Sequence, residues 1–141
     1  MLPRTSIKYF LGPLLAFVAL NAFAGGYYGL AGAKGVPKEW LARSPFSDYL
    51  VPSIILLFIV GGASLGAAMA VLAGLQGARR LAAGAGIVIL VWIAAEVAII
   101  GAESWLQAAT ALVGVCVVLL ALGLPSPAPP SSYRTSPNAP A

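Results

Sequence analysis

The chain has 141 residues, of which 60% are hydrophobic and only 9% charged, and its net charge is +4 at pH 7. Soluble domains carry roughly 25% charged residues, so this composition is typical of an integral membrane protein and leaves little chain for a soluble catalytic domain. The sequence has no histidine, which excludes His-based triads and imidazole ligation of metal or haem. The single cysteine, Cys116, cannot form an intramolecular disulfide. We therefore expect a non-enzymatic protein with no cofactor, no metal site and no nucleic-acid partner.

Four long apolar runs predict four transmembrane helices, because about 20 apolar residues suffice to cross a bilayer as a helix. The runs are residues 9–30, 49–75, 81–101 and 106–123. They predict an all-α, membrane-embedded four-helix bundle that forms one transmembrane domain, residues 1–123. Its expected location is a bacterial inner (plasma) membrane, as a multi-pass protein.

The first run also has the layout of a signal peptide. Arg4 and Lys8 precede the apolar stretch, and Ala22-Phe23-Ala24 fits a small-x-small cleavage site. The apolar character continues beyond that site through residues 27–30, which is longer than a usual signal core. This favours a retained helix, with cleavage after Ala24 as the alternative.

The second run follows a polar loop and contains a small-residue motif. Ser44-Pro45 favours a helix start, and Asp48 lies where the helix dipole favours an anion. Further along, Gly62 and Gly66 form a GxxxG step, which lets two helix backbones approach closely. The step predicts packing against another helix of the bundle, with homodimerisation as the alternative.

The third run contains one carboxylate, Glu96, five residues past the middle of the run. At ~1.5 Å per residue it lies ~7–8 Å from the bilayer midplane, still within hydrocarbon. An ionisable group at this depth is costly unless it is paired, protonated or facing a wet cavity. Glu96 therefore locks the bundle, serves a ligand or a proton, or is a carboxylate that snorkels toward the lipid headgroups. The neighbours considered for a locking role are Asn21, Tyr27, Tyr28, Tyr49 and Arg43.

The basic residues predict the orientation of the bundle. With the N-terminus in the cytoplasm, five basic residues lie inside and three outside, which favours an N-in, C-in topology. The inner set is Arg4, Lys8, Arg79, Arg80 and Arg134, and the outer set is Lys34, Lys38 and Arg43. Residues 124–141 are rich in proline and serine, which predicts a disordered cytoplasmic tail.

In this orientation the polar side chains converge on the outer side and predict a shallow, outward-facing polar pocket. Glu96 and Trp92 would form its floor, because they lie four residues apart on one helical face. Glu103, seven residues after Glu96, is expected on the same face of that helix. The expected rim residues are Asp48, Tyr49, Glu103 and Arg43, and Asn21 lies in the outer half of the first helix.

Two segments carry a resemblance to known proteins. SPFSDYLVPSIILL at 44–57 and WIAAEVAIIGAESWLQ at 92–107 resemble small uncharacterised bacterial four-helix membrane proteins with the patterns SPFxDYxxPxxIL, WxxxE and SWLQ. In size and layout the chain is also similar to DoxX-type four-helix proteins, which are linked to redox or quinone-associated membrane complexes. The matching positions are Ser44, Pro45, Phe46, Asp48, Tyr49, Pro52, Trp92, Glu96, Ser104, Trp105, Leu106 and Gln107.

Three functions follow as hypotheses. The small-residue faces and the lack of a catalytic residue set favour a bundle that binds a lipid or a membrane-protein partner. A small proton-coupled transporter that uses Glu96 is one alternative. A quinone- or redox-associated membrane subunit is the other, and it is implied by the resemblance alone, since no cofactor motif supports it.

Overall fold

The computed structural model describes residues 3–126, and in that range the chain forms four long helices and no strand. These are α1 (Arg4–Leu30), α2 (Leu50–Ala73), α3 (Ala78–Ile100) and α4 (Trp105–Gly123). By length and composition each can cross a membrane. The prediction of four long apolar helices is therefore confirmed. The predicted disordered tail lies outside the described residues from position 127 onward.

The helices run alternately up and down, so two helix starts and two helix ends meet at each end of the bundle. Helices adjacent in sequence pack together, and α1 also contacts α4. We call the end where α1 stops and α2 starts the loop end, because the long connection between them lies there. We call the opposite end, where α1 starts and α2 turns into α3, the basic end.

The turn from α2 to α3 is short because two glycines adopt left-handed backbone conformations. Gly74 has φ 67° and Gly77 has φ 88°, a region that side chains disfavour. The backbone N–H of Leu75 donates to the carbonyl of Ala70, which closes the end of α2 with a capping turn. Helix α3 begins at Ala78, four residues after Gly74.

The tightest core lies in the half of the bundle near the basic end. All four helices contribute fully or almost fully buried side chains there, and all of these are alanine, valine or leucine. A smaller cluster continues toward the middle from α1, α2 and α3. The larger cluster consists of Leu11, Leu15, Ala67, Ala68, Val71, Ala82, Ala85, Val117 and Ala121.

Helix α1 is an integral part of this core. Leu11 and Leu15 are both fully buried against the other three helices. Cleavage after Ala24 would remove both side chains and open the core. Retention of the first helix stays a prediction.

Glycines permit the closest helix contacts, but Gly62 and Gly66 are not among them. A Cβ on Gly26 would lie 2.7 Å from the Leu57 Cβ, so α1 and α2 touch there. A Cβ on Gly86 would lie 3.1 Å from the backbone nitrogen of Val118, so α3 and α4 touch there. Gly62 and Gly66 are exposed, and a Cβ on either would meet nothing within 4 Å. The close approach expected of them is made by other glycines, and homodimerisation through their face stays a prediction.

Helix α2 is irregular. It starts as an α-helix at Leu50–Ile55, widens into a π-helix over Leu56–Gly61, and returns to α-helix at Gly62–Ala73. Pro52 lies in the first turn, where its missing N–H leaves no helical bond unmade. Wide π turns are rare and occur often at functional sites. The side chains of this segment are therefore candidates for a functional site.

The glycine contacts yield a matched prediction on α3. Gly86→Ala should lower the free energy of unfolding by about 1–3 kcal/mol, because its methyl group would overlap Val118. Gly84→Ala, two residues away with nothing within 4 Å, should raise it by up to about 1 kcal/mol by removing a flexible helical glycine. Denaturation of both variants in detergent micelles measures the difference. Equal effects would contradict the close contact of α3 and α4.

Candidate functional site

A large cleft opens at the loop end between α2 and α3. Its volume is about 660 Å³, within the range of small-molecule pockets. Along α3 it extends from Ile87 to Ile100, which corresponds to ~20 Å of helix. Helix α1 and the connecting loop form the rest of the wall, and α4 contributes no lining residue.

The cleft exists because α2 and α3 pack closely only toward the basic end. The large core cluster joins the last turns of α2 to the first turns of α3, and nothing comparable joins their other halves. The π-helical turn of α2 borders the opening through Leu56, Ile59 and Val60. Ile59 and Val91, on opposite walls, are more than half exposed, so the cleft opens on the side of the bundle.

The loop between α1 and α2 closes the top of the cleft. Its short 3-10 turn, Lys38–Leu41, places Trp40 and Leu41 on the wall, and Phe46 follows. Pro37 directly precedes this turn, with its backbone in an extended conformation. The hydroxyl of Tyr49 donates to the carbonyl of Pro37 at 2.6 Å and so ties the loop to the start of α2.

Tyr49 keeps its proton over a wider pH range than a free tyrosine. Burial, and secondarily the negative charge of Glu39, raise the pKa of the Tyr49 hydroxyl above its usual value. Both causes disfavour the phenolate. Like an ordinary tyrosine, Tyr49 is protonated at neutral pH and donates to the Pro37 carbonyl.

Glu96 lies on the α3 wall of the cleft, one turn above Trp92 and about 6 Å below the end of the helix. Its side chain is half-buried. One carboxylate oxygen, Oε1, accepts a hydrogen bond of 3.3 Å from the Nε2 of Gln107. The other oxygen, Oε2, has no hydrogen-bond partner among the described residues.

The side chain of Gln107 is oriented toward Glu96 because its amide oxygen accepts hydrogen bonds from two backbone N–H groups. Oε1 of Gln107 accepts the backbone N–H of Glu103 at 3.1 Å and that of Ser104 at 3.4 Å. Ser104 in turn caps α4, with its hydroxyl accepting the N–H of Leu106 at 3.2 Å. This is a capping box, in which residues at the helix start satisfy each other's backbone groups. The amide nitrogen of Gln107, a residue only 6% exposed, is left to donate to Glu96.

The hydroxyl groups of the cleft already donate hydrogen bonds to backbone carbonyls. The hydroxyl of Tyr28 donates to the carbonyl of Lys34, and that of Ser53 donates to the carbonyl of Tyr49. Only the indole N–H groups of Trp40 and Trp92 and the Oε2 of Glu96 have no bond within the described chain. The cleft is therefore an apolar cavity with one free carboxylate oxygen and two neutral donors, rather than the polar pocket expected from the sequence.

Of the residues expected at this site, the structure places Glu96, Trp92 and Tyr49 in the cleft and four others outside it. Asp48 is exposed, and its Oδ1 accepts the N–H of Leu50 at 3.0 Å, at the start of α2. Arg43 is exposed on the loop and makes no ion pair or hydrogen bond with the described residues. Asn21 is exposed, and its amide donates to the Phe17 carbonyl of its own helix at 2.8 Å.

Glu103 does not share a helical face with Glu96, which corrects the expectation from their spacing. Helix α3 ends at Ile100, and Gly101 adopts φ 95°, so Glu103 lies in the turn that follows. Its backbone contributes to the site through Gln107, while its side chain is exposed. The glycine is the signal that could have placed the helix end before Glu103.

Gln107 is the site residue that sequence reasoning missed. The sequence places it at the opening of the fourth helix but gives it no role in holding Glu96. The Ser104–Gln107 spacing of a capping box is the available signal for its position.

No family model, curated protein or solved structure matches the chain. Function is therefore inferred from the cleft.

The hydrogen bonds of Gln107 yield a prediction about stability. Gln107→Ala should lower the free energy of unfolding by about 1–3 kcal/mol, because it leaves backbone amides and Glu96 without their partner. Glu96→Gln should change it by about 0.5 kcal/mol or less, because an amide oxygen can accept the same bond. Thermal denaturation in detergent micelles measures both.

Ser104→Ala is the control for the cap alone, and it should cost about 1 kcal/mol. If Gln107→Ala costs no more than Ser104→Ala, Gln107 does not support Glu96 beyond capping α4.

Proposed function

We propose that this chain is a non-enzymatic, multi-pass membrane protein whose cleft binds the acyl chain of an amphiphilic lipid, with an amine-bearing headgroup near Glu96. The observation that carries the proposal is the apolar cleft, open to the side of the bundle and ending at one half-buried carboxylate. The resemblance to small bacterial four-helix membrane proteins is compatible with this proposal but supplies no ligand.

The shape of the cleft supports an acyl chain as the occupant. A chain that enters laterally would contact a wall of isoleucine, leucine and valine over ~20 Å, which suits a long, flexible hydrocarbon better than a compact polar metabolite. In a bilayer the lateral opening would face the surrounding lipid tails, so the ligand need not cross water.

The polar groups of the cleft support a headgroup that donates hydrogen bonds. Tyr28, Tyr49 and Ser53 already donate their hydroxyl protons to backbone carbonyls. The acceptor that remains is the Oε2 of Glu96, a carboxylate oxygen that favours a cationic donor. An ammonium headgroup meets this requirement, whereas a carboxylate headgroup would be repelled.

The charges at the two ends support an N-in orientation, with the cleft toward the non-cytoplasmic side of the inner membrane. The basic end carries Arg4, Lys8, Arg79 and Arg80 and no acidic side chain, whereas the loop end carries residues of both signs. Positively charged residues are retained on the cytoplasmic side. A lipid in the cleft would then come from the outer leaflet of that membrane.

A proton-coupled carrier is the second candidate, and one observation favours it. Glu96 is the only acidic residue within the four long helices, and one of its oxygens is unpaired among the described residues. Intramembrane carboxylates with a free oxygen commonly mark ion and proton pathways. Proton flux into liposomes that is lost in Glu96→Gln would favour transport over simple binding.

The proposed lipid site is tested by a pair of variants on neighbouring positions of α3. Ala95 lines the cleft and Ala94 does not, although both are exposed. Ala95→Phe should reduce labelling of cleft residues by a diazirine-bearing phosphatidylethanolamine about tenfold, since overfilling a pocket costs about 1–3 kcal/mol. Ala94→Phe should leave labelling unchanged. Mass spectrometry of photolabelled protein in nanodiscs identifies the labelled residues.

The headgroup assignment has its own control. Glu96→Gln should abolish the preference for labelled phosphatidylethanolamine over a labelled phosphatidic acid of the same chain length. Equal labelling of the cleft in Ala95→Phe and Ala94→Phe would show that the acyl chain does not occupy it.

A further inference from the structure

A second cavity, at the basic end of the bundle, has a different chemistry from the cleft. Its volume is about 440 Å³, and it lies where the start of α1, the turn between α2 and α3, and the residues after α4 meet. Three cationic side chains line it, Arg4 and Lys8 from α1 and Arg79 from α3. We refer to it as the basic cavity.

No acidic side chain balances these charges. The chain has four acidic residues, and all of them, Glu39, Asp48, Glu96 and Glu103, lie toward the loop end. Lys8 and Arg79 are half-buried, whereas Arg4 is exposed. Arg79 donates a hydrogen bond to the hydroxyl of Ser126, which fixes its guanidinium at the wall without neutralising it.

The helix ends do not change the sign of the cavity. Helices α1 and α3 start here with no acidic residue in their first turns and no side-chain cap, so their free amide groups add positive potential. Helices α2 and α4 end here, and the Gly74 turn satisfies carbonyls of α2. With two starts and two ends the dipoles largely offset each other, so the side-chain charges decide the potential.

The cavity also has an apolar side. Tyr9, Leu75 and Leu124 line it beside the cations, and Tyr9 and Leu75 are more than half exposed at its margin. Exposed aromatic and aliphatic side chains next to basic residues are typical of the level where lipid headgroups meet acyl chains. A soluble phosphate would use the cations alone and leave this apolar margin unmatched.

We propose that the basic cavity binds the phosphate of an anionic phospholipid, with Arg79, Lys8 and Arg4 as its ligands. The arginine presents paired donors that match phosphate oxygens, and the lysine supplies a compact charge. Basic pockets between helices near a membrane surface are suited to anionic headgroups. This inference rests on membrane embedding, as does the proposed function, but it does not require that the cleft be occupied.

The test compares two adjacent arginines in the full-length protein. Native mass spectrometry from detergent micelles should show phosphatidylglycerol bound about tenfold more tightly than phosphatidylcholine. Arg79→Gln should weaken phosphatidylglycerol binding about tenfold, the loss expected for one charge-assisted contact. Arg80→Gln removes the same charge one position away, outside the cavity, and should weaken binding less than about twofold.

Three further variants isolate the contribution of the basic cavity to lipid binding. Ser126→Ala removes the hydrogen bond of Arg79 but not its charge, and should retain most of the affinity. If Arg79→Gln does not elute as folded protein, Lys8→Gln takes its place in the test and should weaken phosphatidylglycerol binding by a similar factor. Ala95→Phe, which blocks the cleft at the other end, should leave phosphatidylglycerol binding unchanged, so failure of the cleft proposal would be seen separately.

Three outcomes would overturn the inference. Equal affinity for the two lipids would show no anion selectivity. Equal effects of Arg79→Gln and Arg80→Gln would show a diffuse surface potential in place of a site. Release of the bound lipid by inorganic phosphate at the same concentration would assign the cavity to a soluble phosphate.

Discussion

The fold depends on satisfying backbone polar groups with very few polar side chains. The N–H and carbonyl groups at helix ends have no partner within the helix, so each one that is buried without another partner is costly. At the loop end Asp48, Tyr49, Ser104 and Gln107 all bind backbone groups. The polar chemistry left for a ligand is what remains after these requirements are met. Among the described residues that line the cleft, that remainder is one carboxylate oxygen of Glu96 and two indole N–H groups.

The charge of Glu96 is only weakly compensated within the bundle. A charged side chain at the centre of a membrane helix costs roughly 2.5–3.5 kcal/mol on insertion scales, and less near the helix end, where Glu96 lies. Its one hydrogen bond, 3.3 Å from Gln107, returns about 1–2 kcal/mol. A glutamine at this position could accept the same bond without carrying a charge. This balance supports the proposal that Glu96 serves a ligand in the cleft.

The amount that could be predicted from the sequence differs between the fold and the site. Long apolar runs fix helix number because their length alone matches a bilayer, and the four helices follow those runs. Side-chain partners depend on how helices rotate against one another, which hydrophobicity does not encode when every face is apolar. For that reason the sequence does not predict that Asn21 bonds to its own helix, that Gly62 faces no other helix, or that Gln107 holds Glu96. Gly101 is an intermediate case, because the preference for glycine directly after a helix predicts the end of α3 at this position.

The wide turn at Leu56–Gly61 has a consequence for how the cleft could vary. A π turn accommodates one residue more than an α turn, so deleting a single residue there would restore regular winding while leaving the helix on either side close to its present orientation. The side chains of the wide turn itself, Leu56 and Ile59 among them, would change position on the wall that they form. The width of the opening is therefore tied to the length of the main chain in this turn as well as to the size of the side chains that line it.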